Sequence, residues 1–79
     1  MATIDISIAL AVIGAAAAIV GGAIATGVAE AAIGPAGLGL IAEKPEQAGL
    51  AIVFLVIPET IIILSFVVAV LILLGAGII

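Results

Sequence analysis

Val56-Ile57-Pro58-Glu59-Thr60 places one carboxylate inside an apolar run that begins at Leu50 and continues to the C-terminus. An ionisable group at the centre of a membrane helix costs about 2.5 to 3.5 kcal/mol on insertion scales. A chain that keeps one has a use for it or a partner that neutralises it. Outward from this stretch the sequence keeps the same character. Of its 79 residues, 68% are hydrophobic and 8% are charged, and the mean hydropathy is +1.80. A soluble domain is about a quarter charged. So few polar side chains cannot cover a particle in water, and the bilayer is the expected solvent.

Composition also excludes several functions. Cys is absent, so there is no disulfide framework and no thiolate metal site. His is absent, which removes the usual general base and the commonest metal ligand. There is no Trp or Tyr to form an aromatic belt. The net charge of -4 comes from Asp5, Glu30, Glu43, Glu46 and Glu59 against Lys44 alone. With no basic footprint, nucleic acid is not an expected partner. The segment from Met1 to Ser7 carries Asp5 and no Lys or Arg, so it lacks the positive start of a signal peptide. The first apolar segment is expected to stay in the mature protein.

The charges divide the chain. Glu43-Lys44-Pro45-Glu46 holds three of the six and reads as a polar turn between two spans. The expected fold is all-α: one transmembrane hairpin over residues 1–79. Helix one covers about 4–42, the turn 43–46, and helix two about 47–76, so both termini lie on one side. A span needs about 20 residues, and helix one at about 1.5 Å per residue reaches nearly 60 Å, twice the hydrocarbon thickness. The helices are expected to project from the membrane or to kink. Lys44 in the turn argues for a cytoplasmic turn and external termini.

The two arms differ in texture. Gly14, Ala18, Gly21, Ala25, Ala29, Ala32, Ala36 and Gly39 recur every three or four residues, which makes one small-residue stripe along helix one. Such a stripe lets helix backbones approach closely. One hairpin does not need so long a stripe, so several copies are expected to pack side by side. A dimer motif is the plainer alternative. Helix two carries bulky Ile, Leu, Val and Phe, as a lipid-facing helix would. Pro35 frees the carbonyl of Ala31, and Pro58 frees that of Phe54. Both prolines lie close to an acid. Either they only bend the helices, or they open backbone oxygens near Glu30 and Glu59.

Glu30 lies 14 residues before Lys44, and Glu59 lies 14 residues after Pro45. If both arms are helical, each acid sits about 21 Å from the turn, at one depth. Two carboxylates close together in low dielectric share a proton or hold a cation. Thr60 adds a hydroxyl beside Glu59, the Ile57 carbonyl adds an oxygen near the break, and Thr26 lies one turn from Glu30. This oxygen-rich set suits a proton or a hard cation such as sodium. The candidate ion-binding residues are therefore Glu59, Glu30, Thr60 and Ile57. Glu59, Glu30 and Thr60 become metal ligands if the ion is sodium. No nucleophile with a base and no phosphate loop is present, so no catalytic residue and no cofactor is expected. A hydrogen-bonded acid pair that only joins helices is the structural alternative. Ser65 is expected to bond back to a carbonyl one turn earlier.

Taken together, the Gly/Ala-rich first helix, the short polar turn and the mid-depth carboxylate resemble a rotor-ring proteolipid, the c/K-type ring protein of the rotary ATP synthases. The resemblance covers nearly the whole chain. Phe54-Leu55-Val56-Ile57-Pro58-Glu59-Thr60 is similar to the Leu-Pro-Glu-Thr signature of the V/A-type (archaeal-type) branch. The run from Thr26 to Gly34 is similar to that branch as well. The resemblance implies a homo-oligomeric ring, surrounded by lipid, turning against a stator subunit that offers an arginine. It also implies central-stalk subunits docked at the polar turn, Glu59 carrying the coupling ion, and ATP chemistry done elsewhere. Many relatives have glutamine at the position of Glu30. Sodium-binding relatives tend to be polar at the position of Ile61, so its loss favours protons. The extra carboxylate of Glu30 pulls toward sodium. Readings of a different class are a structural or pore-forming hairpin of the holin kind, and a small exporter protein. The second usually has four spans and an aromatic pocket.

Overall fold

The computed structural model describes residues 5–79 and folds them as a helical hairpin with no strand among them. The expected start of helix one at Ile4 lies outside the described residues. Helix α1 is Ile6–Glu43, a single helix of 38 residues. Asp5 caps it, accepting the Ser7 N–H at 2.8 Å through its side chain. That satisfies one of the donors a helix start leaves open. The helix ends where Pro45 forces it to. The residue before a proline is driven out of the α region, and Lys44 has φ -136 and ψ 80. Pro45–Gln47 then form one 3₁₀ turn, closed by the Gln47 N–H on the Lys44 carbonyl at 2.8 Å. The charged residues Glu43, Lys44 and Glu46 are all exposed there.

The returning arm comes in two pieces, α2 (Ala48–Val56) and α3 (Glu59–Gly75), separated at Ile57 and Pro58. Pro35 lies inside α1 without interrupting it, whereas Pro58 breaks its arm. The expectation that both prolines interrupt their helices holds only for the second. Pro35 is exposed on the outer face of α1 and Pro58 is buried against α1. At its far end α3 closes in a Schellman motif. Gly77 takes φ +74, its N–H bonds the Leu74 carbonyl, and the Ile78 N–H bonds the Leu73 carbonyl, both at 3.0 Å.

The hairpin is a rod of 61 × 17 × 16 Å. Its length is about twice the hydrocarbon thickness, so it extends beyond the bilayer. The two arms, Ile6–Glu43 and Pro45–Gly75, have membrane-level hydropathies of 2.4 and 2.7, and only 11% of each apolar window is buried. A helix from the core of a soluble protein would be mostly buried.

The arms meet through small residues. The residues of α1 buried against the second arm are Ala15, Gly22, Thr26 and Gly37, and across from them lie Ala51, Pro58 and Ala69. Each of the four α1 positions falls one residue after a member of the small stripe. One residue is a rotation of about 100° on a helix. The stripe through Gly14, Gly21, Ala25, Ala36 and Gly39 therefore lies on a neighbouring face. Gly14, Gly21 and Gly39 have open space where a Cβ would point. Ser65 donates to the Ile61 carbonyl at 2.8 Å, the back-bond expected from the sequence.

Candidate ion site at the helix break

Three atoms at the break make the local geometry. Pro58 has no N–H, so the backbone ladder of the second arm is cut there. The next two bonds close tightly, from the Thr60 N–H to the Ile57 carbonyl at 3.1 Å and from the Ile61 N–H to the Pro58 carbonyl at 3.0 Å. Both span three residues rather than four, which is the tighter 3₁₀ geometry. Glu59 sits between them as the first residue of α3, with no side chain capping the helix start. The positive end of a helix dipole favours negative charge at such a place. Glu59, Thr60 and Ile57 are exposed on the surface of the hairpin, facing away from α1.

Across the break, Thr26 is buried at 9% exposure, and its hydroxyl donates to the Pro58 carbonyl at 3.2 Å. A carbonyl oxygen has two lone pairs. Those of Pro58 are taken by Ile61 and Thr26. The Ile57 carbonyl receives only the Thr60 N–H, so one of its lone pairs stays available. The sequence marks Thr26 only by its distance from Glu30 and does not disclose the bond to Pro58. The signal that could have found it is the face shared by Gly22, Thr26 and Glu30, four residues apart.

Glu30 is half-buried between the arms, one turn nearer the polar turn than Thr26. Its Oε1 is enclosed and has no hydrogen-bond partner. Buried polar atoms are rarely left so, and a proton, a cation or an outside donor satisfies one. No hydrogen bond joins Glu30 to Glu59 among the described residues. Thr26 sets the register opposite Pro58, so Glu30 falls on the turn side of that level and Glu59 on the other. Equal spacing from the turn does not bring the two carboxylates into contact within one hairpin. Among the described residues there is no cluster of three or more His, Cys, Asp or Glu side chains that would hold a metal ion.

A family model for the C-type subunit of ATP synthase matches residues 13–72. This chain belongs to that family. The match takes in most of both arms, the polar turn, Thr26, Glu30 and the whole break from Ile57 to Ile61. No curated protein and no solved structure matches the chain. Members of the family are membrane proteins of the synthase that take no part in the chemistry of ATP, and they form its homo-oligomeric rotor ring. The two apolar arms agree with that: they belong to a membrane protein and carry no catalytic constellation.

Proposed function

We propose that this chain is the ion-carrying rotor protein of a V/A-type synthase, with Glu59 as the reversible carrier of the coupling ion. The observation that carries the reading is the position of Glu59. It is an exposed carboxylate near the middle of an apolar arm of 31 residues, beside a helix break. An acid at that depth is functional by default. Its outward placement gives an ion a way on and off as the ring turns against a stator. The stator's arginine then meets Glu59 once per passage. Thr60 and the free lone pair of Ile57 lie within one turn of Glu59 and complete an oxygen set. Glu30 adds the enclosed Oε1, either through a shared proton or through a neighbouring hairpin.

The open small-residue stripe of α1 supports a ring of many copies, because close backbone approach is what stabilises helix contacts in lipid. The polar turn, with its exposed Glu43, Lys44 and Glu46, is the face for the central stalk on the cytoplasmic side. Protons are favoured as the coupling ion, with sodium as the alternative. The reason is Ile61, which offers no ligand atom. The test is the rate of carbodiimide labelling of the detergent-solubilised ring, across pH, with and without sodium. Labelling that millimolar sodium leaves unchanged is the expected result. Slowing by sodium reverses the ion assignment.

A further inference from the structure

The hydroxyl of Thr26 reaches the Pro58 carbonyl across 32 residues of chain. The other side-chain hydrogen bonds among the described residues, Ser7 to Asp5 and Ser65 to Ile61, are local. The bond from Thr26 is therefore the one side-chain hydrogen bond joining the two arms among the described residues. It lands on the residue directly before Glu59.

We propose that Thr26 is a positioning residue for ion binding: by holding the Pro58 carbonyl it fixes the helix break against α1 and sets where Glu59 presents its carboxylate. The break is the least restrained point of the second arm. Pro58 gives no N–H, α3 starts without a side-chain cap, and its first two closing bonds are of the tight kind. A restraint from outside the arm has the most to do at such a point. Thr26 is suited to supply it. It stands on an unbroken helix and is buried. Its β-branched side chain has few rotamers, so the hydroxyl is held in place. Gly22, one turn away, lets the arms come close enough for a short side chain to reach. Glu30, one turn away on the other side, faces the same interface. With the latch closed, Glu59 begins α3 at one height and in one direction, next to Thr60 and the Ile57 carbonyl. With the latch open, the same ligands are present and their mutual geometry is not held.

This inference rests on Glu59 being the carrier. The experiment uses the whole complex in liposomes and measures ATP-driven transport for Thr26→Val and Thr26→Ser. One series varies pH at fixed sodium, and the other varies sodium at fixed pH. Valine keeps the shape and loses the donor, and serine keeps the donor. Thr26→Val is expected to raise the half-saturating concentration of the coupling ion roughly threefold, the size of a typical membrane hydrogen bond. The maximal rate is expected to stay within about twofold. Thr26→Ser is expected to keep the original half-saturation. A half-saturation unchanged in Thr26→Val overturns the proposal, because a bond that only holds the fold together affects the amount of assembled ring and not its affinity. If Thr26→Val alone does not assemble, rings mixed with unmodified chains carry the same readout. Normal transport by Glu59→Gln is the separate result that removes the carrier reading beneath it.

Discussion

Glu59→Gln in the intact complex abolishes ATP-driven ion transport, down to the level of liposomes without the complex. Glutamine keeps the volume of glutamate and much of its hydrogen bonding. What it loses is the group that takes up and releases a proton or neutralises a cation. Glu59 is exposed and caps nothing, so the fold does not depend on its charge. The ring is therefore expected to assemble, and the loss is one of function. Glu59→Asp keeps a carboxylate one methylene shorter and is expected to retain part of the transport. Glu30→Gln is expected to leave transport in place and to change the preference between protons and sodium, because it removes one of two carboxylates. Transport assays on reconstituted complex, matched for the amount of assembled ring, check all three.

Gly22→Ala is expected to have the largest effect on stability. A Cβ there runs into Ser65 Oγ and lies 2.5 Å from Ser65 Cβ. Ser65 Cβ is fixed to its backbone, so the arms themselves must separate. Overpacking of this kind costs about 1 to 3 kcal/mol, and the Thr26 bond one turn away is strained with it. Ser65→Gly removes both clashing atoms and is expected to restore most of the loss in the double variant. Ser65→Ala leaves the Cβ in place and is not. Gly37→Ala meets only the flexible end of Leu55, at 3.1 Å, and is expected to be mild. Gly21→Ala meets nothing within the hairpin, so any effect it has arises between copies. Thermal stability of the solubilised ring, read as a double-variant cycle, separates these cases.

The contrast between Gly21 and Gly22 shows where sequence reading stops. Two apolar runs and the charged turn Glu43–Glu46 define a hairpin, and the carboxylate at Glu59 marks its centre. Which face of α1 meets the second arm is not legible, because Ala and Gly lie on several faces and the periodicity fits more than one. Side-chain contacts decide it in favour of Ala15, Gly22, Thr26 and Gly37. The two prolines read alike in sequence. They differ because the ring of Pro35 is exposed and Pro58 is buried where a donor, Thr26, reaches its carbonyl. The equal spacing of Glu30 and Glu59 assumes two regular arms. The 3₁₀ turn at Pro45–Gln47 and the tight bonds at the break rise about 2.0 Å per residue instead of about 1.5 Å, and they shift the register. A residue count cannot contain that shift.

The role of Glu59 as carrier is tested most directly by carbodiimide modification of the intact ring, followed by mass mapping of the modified residue. The account predicts one modification per chain, at Glu59, with Glu30 untouched because its carboxylate is enclosed between the arms. Modification of Glu30 with Glu59 left free would contradict it.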